Sequence, residues 1–370
     1  MLVPSRDHGV AMRYQVRWRE GTVQRKENFV KLREAQDRAK AIDTDMRRGQ
    51  YVDVRDQRIT FEEYAETWRT AQPHRPGTAK DVEQSLRCYA YPAFGAQRLA
   101  SIRSSSLEAW ATGLVKTQGL APSTARKVFQ KVKAVFNAAV RDGLVLRSPC
   151  AGVKLTKVPH TEVVPLTRDE VERLTTAVPD RYRALVVLAA GSGLRPGELF
   201  GLQVRHVNFL GRSVKVEQQL QQTTGHGVYV GPPKTERSHR TVPLSKTVLD
   251  ALERHLERYP AVGDDYLFRM ERGGPIVRTD FYGPIWQAAV KAAGLPKGTR
   301  MHDLRHTYAS LLIRHGEGPK TVAVRLGDSV AVAMRVYAHL WPDEDEGTRE
   351  AVEDFFAPPP SAPDVPSAAA

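Results

Sequence analysis

Apolar and polar residues alternate strictly in "RYQVRW", which places Tyr14, Val16 and Trp18 on one face of the backbone. A period of two is typical of a half-buried strand. After the turn residues "EGT", "VQRKENFV" predicts a second strand, and "LREAQDRAKAIDTDMRRG" predicts a helix over residues 32–49. Residues 1–57 therefore predict a small β-β-α unit, which is either a surface-rich module or a DNA-binding arm.

Residues 58–150 carry helical periodicity only. The stretch "TFEEYAETWRTA" opens with Thr60 and Glu63, the spacing of a capping box. In "ARKVFQKVKAVFNAAVRDG" the apolar residues recur at helical spacing, and Gly143 predicts the end of the helix. The basic residues off this apolar stripe are Arg126, Lys127, Lys131 and Lys133. Such a face is typical of a solvated surface, but it also suits contact with phosphates.

The sequence after the helical segment predicts three further parts, which are a linker, a mixed domain and a tail. "SPCAGVKLTKVPHTEVVP" has three prolines and no periodicity, which predicts an extended linker over residues 151–165 with Lys154 and Lys157 on it. Helical stretches and the short strands "SVKVEQQ", "GVYVGPPK" and "RTVPL" then predict a mixed α+β domain over residues 166–345. The tail, residues 346–370, is acidic and then rich in Pro, Ala and Ser, which predicts partial disorder.

Charge narrows the class of partner. The chain carries 55 Lys and Arg against 42 Asp and Glu, a net charge of +13, which favours nucleic acid over an acidic membrane. Between residues 58 and 160 the count is 16 against 7, so this segment is the strongest candidate for the phosphate backbone.

Cysteine content and hydropathy indicate the compartment. Cys88 and Cys150 are too few for a disulfide framework, which fits a reducing environment. The N-terminus lacks an apolar signal region, and no apolar run approaches the ~18 residues that a membrane span needs. We expect a cytoplasmic protein associated with the nucleoid.

The stretch "GLRPGELFGL" holds a candidate anion site. Pro196 suits the first position of a helix, so Arg195 would lie at the helix start, where backbone N–H groups already favour an anion. A guanidinium there adds a planar fork that matches phosphate, and Glu198 one turn later could hold it in place. The alternative is a surface Arg–Glu pair.

The stretch "MHDLRHTYAS" allows three interpretations. His302 and Arg305 share a helix face, and an imidazole beside a permanent cation suits phosphate chemistry. His302 and His306 also have the spacing of the H-E-x-x-H zinc pattern. Against zinc, Asp303 is shorter than glutamate, no third ligand follows at a metalloprotease spacing, and a cation would lie inside the metal shell. A polar helix start without chemistry is the third possibility.

Lys234 and Tyr337 can be assigned a role only together with the other motifs. Lys234 in "VGPPKTERSHRTVPL" would end a strand at a tight turn, where lysine is normally solvated but could also protonate a leaving oxygen. Tyr337 in "RVYAHL" is either an aromatic residue packed on a helix face or a nucleophile.

These motifs, taken in order, resemble the active-site set of the tyrosine recombinases, the phage-integrase family. The β-β-α unit is similar to that family's arm-type DNA-binding domain, the basic helical segment to its core-binding domain, and the mixed segment to its catalytic domain. The resemblance covers roughly residues 10–345. It implies a multidomain fold and a site-specific recombinase that integrates or excises a mobile element.

The resemblance also assigns roles. Tyr337 would attack the scissile phosphate and form a 3′-phosphotyrosyl link, while Arg195 and Arg305 would hold the non-bridging oxygens. Lys234 would protonate the departing 5′ oxygen, and His302 would handle the proton of the nucleophile.

Glu198 would support this site. Because the covalent ester retains the free energy of the phosphodiester, neither ATP nor a metal would be required. The resemblance further implies double-stranded DNA with core and arm sites, a homo-tetramer on DNA, and an accessory DNA-bending or directionality protein.

One position departs from the family pattern. Asp328 in "RLGDSVAVAMRVY" stands where the family usually has a histidine that donates a hydrogen bond to phosphate. An ionised carboxylate cannot donate, and it adds negative charge beside a negative substrate. We expect Asp328 to cap the following helix, which is compatible with some loss of catalytic power, so a DNA-binding member with little strand transfer remains the alternative function.

Overall fold

The computed structural model describes residues 2–4, 13–20, 23–47, 58–159, 162–223, 227–341 and 345–357. The chain divides into two compact units, Met1–Pro159 and His160–Ala370. The first holds a small β-sheet with one helix and a separate helical part, and the second mixes helices with short strands. This confirms the predicted fold class. Within the described residues, no helix is long and apolar enough to cross a bilayer.

The N-terminal module is an antiparallel sheet covered by one helix. Its elements are β1 Leu2–Pro4, β2 Tyr14–Glu20, β3 Val23–Phe29 and α1 Leu32–Arg47. The strand order is β1-β2-β3. Val16 is buried against Ala35 and Ile42, with Tyr14 and Trp18 packed on this core as the alternation predicts. The three-residue strand β1 is too short to show a period, and residues 48–57 lie outside the described part.

The second part of this unit is entirely helical. Its helices are α2 Phe61–Ala71, α3 Pro76–Ser85, α4 Tyr91–Phe94, α5 Ser104–Lys116 and α6 Pro122–Arg141. The predicted capping box is present, since the backbone N–H of Glu63 donates to Thr60 and the Glu63 carboxylate accepts from the Thr60 N–H. Phe61, Leu86 and Phe136 are fully buried at the centre of the core.

The second unit is built around one apolar helix. Its helices are α7 Arg168–Ala177, α8 Arg183–Ser192, α9 Pro196–Phe200, α10 Lys246–Arg258, α11 Arg278–Phe281, α12 Gln287–Ala292, α13 Met301–Arg314, α14 Pro319–Leu326, α15 Val330–Tyr337 and α16 Asp345–Phe356. Helix α8 packs against α7, α10 and α13. Because α8 is apolar almost all round, it can be buried and still support α13.

The strands form two small sheets. They are β4 Val207–Asn208, β5 Ser213–Val216, β6 Gln219–Thr223, β7 Gly227–Gly231 and β8 Arg240–Pro243. The orders are β4-β5-β8 and β6-β7. The predicted strand over "SVKVEQQ" is shorter in the structure and ends at Val216, where the apolar alternation ends, and Gln219 already begins a strand of the other sheet. Lys234 lies in the loop between β7 and β8, not at a strand end.

Candidate active site

Arg195 lies where the sequence predicts it, immediately before Pro196 at the start of α9. One terminal nitrogen donates to Glu198 Oε1 at 2.8 Å. The other donates to the carbonyl of Gly327 at 2.9 Å and to Oδ1 of Asp328. The side chain is 23% exposed, so the guanidinium is held in place and still reachable from solvent.

Arg305 reaches the same carboxylate from α13. Its Nη2 donates to Asp328 Oδ2 at 2.6 Å, and its Nη1 donates to the carbonyl of Gly193 at 2.8 Å. The residue is 1% exposed, and burial together with the nearby Arg195 lowers its pKa. The two arginines, 110 positions apart in sequence, thus meet on one anion.

Asp328 does not cap the helix that follows it. The N-cap of α15 is Ser329, whose hydroxyl accepts from the Val332 N–H at 3.3 Å. The Asp328 carboxylate instead uses one oxygen for each arginine. The capping prediction was therefore wrong, because the adjacent serine takes that role and two guanidiniums attract the carboxylate.

Glu198 is buried under the arginines, with 2% of its surface exposed. Arg240 donates to both of its oxygens, at 2.8 Å and 3.2 Å. Burial raises the pKa of Glu198, but Arg240 and Arg195 outweigh it and leave the pKa lowered. Sequence reasoning missed Arg240. The available signal was its place on β8, where alternation puts it on the same face as the buried Val242.

Tyr337 is the last residue of α15 and is 2% exposed. Its hydroxyl lies 2.8 Å from Nδ1 of His306. The resemblance assigned the proton to His302, but the structure pairs the tyrosine with His306, which the sequence had suggested only as a zinc ligand. The His302 ring packs edge-on against His306 at 4.8 Å between centroids.

Lys234 lines the open side of this arrangement. It is exposed and borders a cavity of about 650 Å³ together with Arg195 and Asp328. The other polar side chains that line it are those of Thr235, Glu236, Arg237, Ser238 and Ser329. The structure therefore brings a lysine, an arginine and the aspartate to one open cavity.

The predicted DNA-contact residues differ in their exposure and in the hydrogen bonds that they form within the protein. Lys131 is 16% exposed and donates to Asp81 at 2.6 Å and to Ser85 at 2.7 Å, so its ammonium is engaged inside the helical part. Arg126 donates to the Thr156 carbonyl at 3.3 Å. The exposed members are Lys127, Lys133, Lys154 and Lys157.

Geometry gives the zinc interpretation no support. Across the described residues, no three His, Cys, Asp or Glu side chains converge as metal ligands. His306 directs its Nδ1 to Tyr337 instead.

Comparison with known proteins places this site in a family. Residues 165–344 match the phage integrase family, and residues 61–155 match the phage integrase central domain. The chain belongs to the phage integrase family of tyrosine recombinases, as its resemblance predicted.

Individual relatives agree with this assignment. A "Tyrosine recombinase XerC-like" protein of Caldanaerobacter subterraneus subsp. tengcongensis is 28% identical over 91% of this chain and 93% of its own length. The Tn1549 transposon integrase in complex with transposon right end DNA has a TM-score of 0.70 at 25% identity, over 81% of this chain and all of that one. A lambda integrase tetramer bound to a Holliday junction shares the fold, with a TM-score of 0.58 at 17% identity over 93% and 95% of the chains.

Proposed function

We propose that this site-specific recombinase breaks and rejoins DNA through a 3′-phosphotyrosyl bond to Tyr337. Arg195 and Arg305 bind the two non-bridging oxygens of the scissile phosphate and stabilise the charge that develops in the transition state. Lys234 protonates the 5′ oxygen that leaves. Glu198 keeps Arg195 in place, and Arg240 fixes Glu198 in turn.

The arrangement around Asp328 carries this proposal. A carboxylate with one oxygen on each guanidinium imitates the two non-bridging oxygens of a phosphodiester, in both charge and planar fork geometry. The site thus already binds an anion of the required kind. DNA binding then exchanges Asp328 for the phosphate, and the carboxylate must turn away from the negative substrate.

The remaining domains bind the duplex. We assign residues 1–57 to arm sites, residues 58–150 to the core site, and residues 166–345 to the chemistry. The linker, residues 151–165, carries the exposed Lys154 and Lys157 and suits contact with the DNA backbone. Lys127 and Lys133 are the exposed candidates on α6.

Strand exchange between two duplexes requires four active sites. The likeness to a tetrameric lambda integrase on a Holliday junction supports a homo-tetramer on DNA. An arm-binding domain suits an integrase that bridges two DNA sites with the help of a DNA-bending or directionality protein. The protein would act in the cytoplasm, at the nucleoid, without ATP or metal.

The second candidate is a DNA-binding member with weakened strand transfer. The observation that favours it is the same Asp328, because both arginines are paired with a residue that cannot donate a hydrogen bond to phosphate. The two candidates differ in whether a covalent intermediate forms.

A nicked suicide DNA substrate separates the candidates. Cleavage releases a short strand that diffuses away, so a covalent protein–DNA adduct accumulates and is counted on a denaturing gel. We expect an adduct with the full chain, none with Tyr337→Phe, and no effect of a chelator. Tight binding without adduct would favour the weakened member, whereas chelator sensitivity would revive the zinc hypothesis.

A further inference from the structure

His306 and Tyr337 form a closed pair beside the arginines. The phenol oxygen and the imidazole Nδ1 are 2.8 Å apart, with ring centroids at 5.6 Å and a steep angle of 66° between the rings. Among the described residues, no other side chain hydrogen-bonds this hydroxyl. The contact joins α13, which carries Arg305, to the last residue of α15.

The surroundings of His306 and Tyr337 set their protonation states, and these determine which group donates the hydrogen bond. Burial, then His302, lower the pKa of His306 to about 4, so its imidazole is neutral near pH 7. Burial raises the pKa of Tyr337 to about 12, so the phenol keeps its proton. The hydroxyl therefore donates and Nδ1 accepts, which requires the tautomer protonated on Nε2.

The other histidine is not placed for this task. His302 and His306 lie one turn apart on the same face of α13, but only His306 reaches the phenol. His302 contacts the edge of the His306 ring, and burial and Arg305 lower its pKa. Its ring contact is therefore with the partner of the phenol.

We infer that His306 is the base that accepts the proton of Tyr337 during strand cleavage. This inference rests on the proposed recombinase function. As the phenol oxygen bonds to phosphorus, its proton passes to Nδ1 of His306. The bond from phosphorus to the 5′ oxygen breaks, and that oxygen takes a proton from Lys234. In the rejoining step each proton returns, so no external reactant is needed.

The substrate itself makes His306 a better base. In the free protein the positive Arg305 disfavours a second cation nearby. A phosphate bound on the arginines adds negative charge and favours the imidazolium. Meanwhile the forming bond to phosphorus draws electrons from the phenol oxygen and makes its proton more acidic. Proton transfer is therefore coupled to the presence of a correctly bound phosphate.

Two substitutions distinguish a base from a simple support. His306→Asn keeps an acceptor oxygen near the position of Nδ1 but cannot take a proton, whereas His306→Ala removes both. We expect both variants of the full chain to form adduct at least about 100-fold more slowly in single turnover, with unchanged DNA affinity. A wild-type rate for His306→Asn would show that the residue only positions the tyrosine, and the inference would be wrong.

A second substrate shows which of the two proton transfers a variant has lost. In a 5′-bridging phosphorothiolate the leaving sulfur needs no proton, so Lys234→Ala should recover its rate while both His306 variants stay slow. Recovery of the His306 variants would place the residue on the leaving-group side and overturn the inference. Absence of any adduct from the wild-type chain would instead remove the proposed recombinase function, and the role of His306 with it.

Discussion

At the scale of single residues, Asp328 determines how this site differs from a purely cationic phosphate site. Its carboxylate forms an ion pair with the partly buried guanidinium of Arg195 and with the buried one of Arg305 at the same time. Breaking such an arrangement by removing one partner leaves an uncompensated charge, which costs about 3–5 kcal/mol when the charge is buried. The aspartate therefore stabilises the DNA-free protein while it competes with the substrate.

Replacement of this residue should separate stability from activity. We expect Asp328→His to speed single-turnover cleavage by as much as ~100-fold, because histidine can donate to a phosphate oxygen and no longer occupies the arginines as an anion. The same variant should unfold at a lower denaturant concentration without DNA. Adduct formation and urea unfolding measure the two effects.

Asp328→Ala is the control for this prediction. It removes the charge and offers no hydrogen-bond donor, so it isolates the gain from freeing the arginines. Cleavage by Asp328→His that equals or trails the wild type would show that the site is adapted to the acid.

At the scale of elements, two glycines end helices and hold the arginines. Gly193 follows α8 with φ of 63°, and Gly327 follows α14 with φ of 64°. Each carbonyl accepts a hydrogen bond from an arginine of another element, Arg305 and Arg195 respectively. The left-handed backbone thus both stops a helix and directs an acceptor into the site.

Gly193→Ala should be severely destabilising. An added Cβ would lie 2.4 Å from Cδ1 of Tyr308, and the left-handed backbone disfavours any Cβ. We expect a loss of about 2–5 kcal/mol in the free energy of unfolding, measured by urea denaturation. Gly294→Ala is the control, because Gly294 has φ of 67° and nothing within 4 Å of its Cβ position. Equal losses for both variants would contradict the role of the Tyr308 contact.

The same scale shows what the sequence can predict. Periodicity and residue type were sufficient for α6 and for the placement of Arg195 before its helix. They could not predict the bridge from Arg195 to Asp328, which spans 133 positions. Nor could they choose between His302 and His306, because both occupy one face of α13 and the choice depends on where α15 packs. Local sequence patterns predict which face of a helix a residue occupies. Its interaction partner depends on how elements far apart in the sequence pack together.

At the scale of the whole molecule, the C-terminal helix is the clearest candidate for contact between subunits. Helix α16 is acidic and exposes Val352, Phe355 and Phe356, the two phenylalanines by 81% and 77% of their surface. Adjacent exposed aromatic residues are characteristic of protein–protein contacts. As part of the proposed tetramer, this helix would dock on a neighbouring protomer.

The double variant Phe355→Ser and Phe356→Ser tests this docking. We expect fewer tetramers on core-site DNA in native gels, because the apolar contact is lost, with unchanged binding of a single protomer to a half-site. Glu353→Gln, on the same helix, serves as the control and should assemble normally. Full assembly of the double variant would show that the helix has another role.

The hydrogen bonds from both arginines to helix-end carbonyls have a consequence for the energetics of DNA binding. Each guanidinium keeps an acceptor that the incoming substrate does not displace, so its rotamer is fixed before DNA arrives. Little side-chain entropy then remains to be lost at the scissile position. Selectivity for correctly placed DNA must therefore come from the replacement of the Asp328 carboxylate by the scissile phosphate.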